Sequence, residues 1–334
     1  MYPLLAGHGS ILLKKSKYRN RPQGGDDLSS QKVCFMNKEQ LIKYIGKNLE
    51  GKKNSLPIDI KATVLFGSWA KGTATPDSDV DLLVVAEDIH PKRHRRGAEI
   101  AQIRRCLPGL TLDVLLHTKE EVISNFLNHN PLFLDVAEDG KIILDDGEFL
   151  QNLISQTKDY VRQREIKRFG DGWVFPVEKG KAAFLSRVSN KDFAQAMFKD
   201  GERDLEIGKK LTEDSYYDKA VYHFQQSIEK SIKSVLIAMG IFQKTHLIGA
   251  ILHKVISERE DMPKWEKELN EIADISESIE PEISLSRYPA IIKDSLWLPF
   301  DEYSREDADG ALAKAKKTLS VAKGFMEDWF STTS

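Results

Sequence analysis

The chain has 334 residues, 41% hydrophobic and 30% charged, which excludes global disorder and a fibrous repeat and, at about 150 residues per domain, predicts two domains. Its 49 lysines and arginines meet 51 aspartates and glutamates, a formal charge of −2 that excludes a strongly basic nucleic-acid coat. No apolar run approaches the ~20 residues of a membrane span, so no membrane partner is expected.

Residues 1–37 read as an irregular N-terminal segment of turn and linker residues. Its lysines (Lys14, Lys15, Lys17) follow the apolar patch Ile11, Leu12, Leu13 rather than precede it, the reverse of a secretory signal. Cys34 and Cys106 make no disulfide framework or zinc cluster and fit a reducing compartment, so a cytoplasmic location is expected.

Regular patterning begins at Asn37, a candidate N-cap with Gln40 three residues on, followed by Leu41, Ile42, Tyr44 and Ile45 at helical spacing. Residues 62–66, 80–85 and 110–116 read as β-strands, and 142–144 as a final edge strand. Helical segments between them, notably 92–107, predict a small α/β unit over residues 38–147. Residues 148–190 read as a connecting helix (148–168) and linker. Residues 191–334 read as an antiparallel helical bundle with helices near 191–211, 215–239, 246–259, 265–279 and 303–331. Val221, Phe224, Ile228, Ile232, Val235 and Met239 recur every three or four residues, a core stripe. The fold class expected is therefore α+β followed by α: a small mixed sheet, then the bundle.

The chemistry concentrates in the run GSWAKGTATPDSDVDL, residues 67–82. A strand runs into Gly67 and Ser68, where glycine admits a ligand to the backbone and serine adds a hydroxyl and an N–H. Asp79 and Asp81 are two apart on an apolar strand and share a face, while Val80 and Leu82 point the other way. Two ionised carboxylates side by side repel, and a hard cation such as Mg²⁺ relieves the repulsion. Asp113, between Leu112 and Val114, can join them if the second and third strands are neighbours. Three such carboxylates suit metal-assisted phosphoryl displacement.

This run resembles the signature of the nucleotidyltransferase superfamily related to DNA polymerase β, in its minimal nucleotidyltransferase branch. The resemblance implies an enzyme that transfers a nucleoside monophosphate from an NTP, ATP above all, to an acceptor hydroxyl with release of pyrophosphate. It implies Gly67, Ser68, Lys71 and Ser78 at the nucleotide. It also implies Asp79, Asp81 and Asp113 as catalytic ligands of two Mg²⁺ ions, with Mn²⁺ as a substitute. Lys71 stands where the family usually has arginine, which keeps the charge and loses the planar fork. The acceptor classes implied are a protein side chain, a small molecule of the aminoglycoside kind, or RNA; a nucleotide-binding sensor or antitoxin-like module without turnover is the alternative.

The helical half resembles HEPN domains in Gln225–Gln226 and Glu229–Lys230 of one helix, Thr245–His246, and Arg287–Tyr288–Pro289. That resemblance implies a toxin–antitoxin-like setting and a homodimer through the bundle. An RNA-processing HEPN would carry an arginine four to six residues before a histidine on one helix face, and neither His223 nor His246 has one. The basic run Lys92–Arg93–His94–Arg95–Arg96 reads first as a solvated helix face and second as a phosphate site. His223 is expected to pack or hydrogen-bond, and His246 to begin a helix. Trp173, Trp265 and Trp297 are expected to pack.

Overall fold

The computed structural model describes residues 36–52, 55–75, 77–183, 188–292 and 295–331. The irregular segment expected over residues 1–37 lies outside them except for its last two residues, and Cys34 lies outside them too. Helix α1 (Lys38–Lys52) starts where the sequence predicts. The Gln40 amide donates to Oδ1 of Asn37, and the Asn37 amide donates to Oε1 of Gln40, both at 2.9 Å, so each covers an orphan N–H of the helix start.

A four-stranded mixed sheet follows, built from β1 (Asp59–Phe66), β2 (Val80–Glu87), β3 (Leu112–His117) and β4 (Lys141–Asp145) in the order β3-β2-β1-β4. β1 pairs antiparallel with β2 and β4, and β2 pairs parallel with β3. Between the strands lie α2 (Gly67–Lys71), a 3₁₀ turn (Arg93–Arg95), α3 (Gly97–Cys106), α4 (Lys119–Leu127) and α5 (Pro131–Asp139); α6 (Phe149–Gln163) follows β4. Alternation sorts the sheet's side chains into two cores. Val80, Leu82 and Val84 meet α1 and α3 on one face, whereas Leu83 and Val85 meet α4, α5 and α6 on the other. Both faces are covered, so the strands read as nearly unbroken apolar runs.

Helix α6 ends at Gln163, short of the expected 168, because Glu165 turns to φ 51° and Lys167–Phe169 becomes β5. β5 pairs with β6 (Gly172–Val174), which pairs with β7 (Ile241–Phe242) at the end of the second bundle helix. The bundle comprises α7 (Asn190–Glu213), α8 (Tyr217–Ala238), α9 (Gly249–Ser257), α10 (Glu266–Ile279), α11 (Glu282–Leu285), α12 (Pro299–Glu302) and α13 (Arg305–Trp329); β8 (Ala290–Ile292) and β9 (Ser295–Trp297) form a small hairpin between α11 and α12. The predicted stripe on α8 is wholly buried, each such side chain contributing about 1.5–3 kcal/mol. Gly208 lets α7 approach α8 closely, since a Cβ there would lie 2.5 Å from the Phe224 ring.

Helix α5 joins the two halves. Phe133, Val136 and Ala137 pack into the sheet, while Leu134 packs into the bundle core. No described helix is long and apolar enough to cross a membrane.

Candidate active site

β1 delivers the chain to Phe66, which pairs with Asp81 of the antiparallel β2. Gly67 then takes φ 68° and lies flat against that aspartate: a Cβ at Gly67 would be 1.9 Å from Asp81 Oδ2. Only a residue without a side chain fits there, and only glycine adopts that backbone cheaply. Ser68 and Lys71 lie on the one-turn helix α2, which closes on Gly72 at φ 79°. The Thr73 amide bonds the Ser68 carbonyl at 3.0 Å. The Trp69 indole donates to the Ser78 carbonyl at 3.3 Å, and the Thr75 amide donates to Ser78 Oγ at 2.8 Å. The loop between α2 and β2 is thus tied at both ends.

β2 begins at Val80, so Asp79 precedes the strand and Asp81 lies within it. Asp81 pairs in register with Asp113 on the parallel β3. Asp79 and Asp113 are exposed, whereas Asp81 is half-buried. Burial, then the charge of Asp113, then that of Asp79, push the Asp81 carboxyl above its ordinary range; Lys244 and Lys71 oppose them. The parallel pairing brings the three predicted carboxylates to one end of β2 and β3.

The same face of the sheet carries α5 with Asp135 and Asp139, two carboxylates that no local sequence motif marks. Asp135 is 3% exposed. It accepts a hydrogen bond from the Trp173 indole at 3.0 Å, lies 3.4 Å from Arg168, and is in contact with the Lys244 ammonium. Asp139 is in contact with Arg168 and lies 3.8 Å from Lys71. Trp173 therefore does more than pack. Burial, then the neighbouring Lys71, push Lys244 down to about 8, and Asp81 pulls the other way. The contact with Asp135 and a side chain 40% exposed also favour the charged form, so Lys244 is a cation at neutral pH.

A family model described as "Nucleotidyltransferase domain" matches residues 38–144, and one described as "HEPN domain" matches residues 194–325. A protein of Methanocaldococcus jannaschii named "Putative toxin MJ1304" is 35% identical over 139 residues, 42% of this chain and 91% of that protein. The chain is a nucleotidyltransferase joined to a HEPN domain. A second protein of the same organism, named "Putative protein adenylyltransferase MJ1305", is 28% identical over 131 residues, 38% of this chain and 88% of that protein. The crystal structure of ST0689, an archaeal HEPN homologue, is 26% identical and covers 40% of this chain and 97% of that one, with a TM-score of 0.31.

A nucleotidyltransferase takes an NTP and a divalent metal. The donor set here fits such a cation in kind: oxygen ligands only, on adjacent strands, with Asp81 under like-charge pressure that a cation would relieve. Among the described residues, no three His, Cys, Asp or Glu side chains gather into a group that could hold a metal unaided. A Mg²⁺ held by one or two carboxylates plus substrate phosphates needs no such group.

The nucleotidyltransferase domain spends Arg96 on structure rather than on phosphate. Arg96 is 1% exposed and fills all five N–H donors: two to Glu121 (2.6 and 2.9 Å) and one each to the carbonyls of His90, Pro91 and Leu116. The run expected as one helix from residue 92 is accordingly a 3₁₀ turn, with α3 starting only at Gly97. Within the HEPN domain, Glu229 is buried and meets His246 and Lys233, each at 2.9 Å. His223 bonds Asp204 at 2.9 Å. Both histidines thus have carboxylate partners, and His246 lies just before α9, near the helix start that the sequence suggests.

Proposed function

We propose that this nucleotidyltransferase moves AMP from ATP to a hydroxyl of a protein side chain, releasing pyrophosphate, with Mg²⁺ held between the substrate phosphates and the carboxylates of Asp79, Asp81 and Asp113. One observation carries the reading: Asp81 lies opposite Asp113 on the parallel strand pair and flush against a side-chain-free Gly67. The missing side chain admits the Asp81 carboxylate against the backbone that opens α2, with Asp113 on the neighbouring strand. Protein as acceptor rests on the name of the relative MJ1305.

In the step proposed, the acceptor oxygen attacks the α-phosphorus and the bond from that phosphorus to the bridging oxygen breaks. Pyrophosphate leaves, and the hydroxyl proton passes to Asp113. Ser68, Ser78 and Lys71 bind the nucleotide, and bound Mg²⁺ supplies charge neutralisation. Asp79, Asp81 and Asp113 orient the reacting groups.

The test uses purified full-length protein, Mg²⁺ and α-labelled ATP, with and without a cell extract, beside Asp79→Asn and Asp81→Asn. Protease-sensitive label that both variants lose supports the proposal. Label in RNA or in a small molecule would redirect the acceptor class, and near-normal transfer by either variant would overturn the metal assignment.

A further inference from the structure

Asp135 and Asp139 stand one turn apart on α5, the helix shared by both cores. They collect cations from three separate elements: Lys71 from α2, Arg168 from β5, and Lys244 from the segment after β7. Lys71 lies on the one-turn helix that starts at Gly67 against Asp81, so the cluster adjoins that carboxylate, and the charges of Lys71 and Lys244 both act on it. Lys244 also lines an apolar cavity of about 300 Å³ with Leu132, Met197 and Phe242. Three cations, Lys71, Arg168 and Lys244, share the two carboxylates of α5, so the cluster carries one positive charge in excess. Asp81 offsets that excess, and once Asp81 serves a metal ion its negative charge is taken up and the excess is left without a counter-anion. A polyphosphate supplies one.

We propose that Lys244 is a triphosphate-binding residue of the nucleotidyltransferase site, delivered by the helical half of the chain. This rests on the reading of Asp81 as part of the nucleotide site. The consequence is that the site is complete only while the bundle is docked on α5. Asp135 is then the resting partner of Lys244, holding the ammonium in place until phosphate competes for it.

The experiment measures binding of α,β-methylene-ATP with Mg²⁺, and of adenosine, to the full chain by calorimetry. Lys244→Met should weaken the triphosphate analogue at least about tenfold and leave adenosine unchanged, as expected for one lost charge-assisted contact. Lys244→Arg should stay within about threefold of wild type. Asp135→Asn, which removes the competing carboxylate, should not weaken the analogue. A purely structural role for Lys244 predicts instead that Lys244→Met and Asp135→Asn weaken both ligands together, and that result overturns the proposal. So does wild-type affinity in Lys244→Met. If the wild-type chain binds no analogue at all, the nucleotide-site reading itself fails and this inference falls with it.

Discussion

Gly67 and Asp81 share a space that one methyl group would contest: a Cβ on Gly67 would lie 1.9 Å from Asp81 Oδ2 and 2.7 Å from its Cγ. The contact joins the end of β1 to the carboxylate of β2, so the turn and the carboxylate are positioned together. Gly67→Ala should displace Asp81 and cut transfer by about a hundredfold, the usual effect of a small misplacement at a reacting centre. Its positive φ adds roughly 1–2 kcal/mol of destabilisation. Labelled transfer and thermal unfolding on one preparation check both effects; a variant of normal activity would show that the contact is dispensable.

Asp81→Asn separates chemistry from stability. Burial and two neighbouring carboxylates make the ionised Asp81 unfavourable. The amide removes that cost, so the melting temperature should stay level or rise while transfer falls on the order of a thousandfold. Mg²⁺ should raise the melting temperature of the wild type and leave the variant unmoved, because a ligand stabilises only the state that binds it. Equal metal shifts in the two proteins would remove Asp81 from the metal site.

The Arg96–Glu121 pair predicts an acid limb. Burial pushes the Glu121 carboxyl up, but the Arg96 guanidinium, the Thr118 amide and His117 outweigh it and hold it down at about 2, against 4.5 ordinarily. A depressed carboxyl stabilises the fold above its unfolded value, and the gain is lost as pH falls from about 4.5 toward 2. Glu121→Gln should flatten stability across that window, where the wild type loses on the order of 2–3 kcal/mol. Urea unfolding at pH 5 and pH 3 reads the difference. His117, which burial and then Arg93 push below its ordinary range, is neutral near pH 7 and contributes no charge there.

Glu229 tests the HEPN side. Its carboxylate is buried and meets Lys233, itself only 14% exposed, at 2.9 Å. Glu229→Ala leaves that ammonium without its partner and should cost about 3–5 kcal/mol. Glu229→Gln keeps hydrogen-bonding capacity and should cost less. Equal losses in urea titrations would mean that the charge itself, rather than the unmade bonds, sets the penalty.

Much of the site is local in sequence. Gly67, Ser68, Asp79 and Asp81 announce themselves because a strand, a glycine turn and a period-two pair of carboxylates lie within sixteen residues, and alternation assigns Val80 and Leu82 to the opposite face. The α8 stripe is legible for the same reason, since a helical period needs no distant partner to be recognised. Asp113 is legible only conditionally. Its residue type and apolar strand are visible, but the strand order β3-β2-β1-β4 decides that it faces Asp81.

The seam is legible only in three dimensions. Lys244 meets Asp135 across 109 residues of chain, and nothing beside either one marks the pairing. Arg96 looks like the end of a solvated basic run, yet its five acceptors come from a loop, a strand end and α4, which only folding assembles. The sequence by itself determined the periodic elements and the local motif, because those depend on backbone geometry over a few residues. Tertiary structure alone decided which charges are buried together, because burial and pairing depend on elements that the chain brings side by side only when it packs.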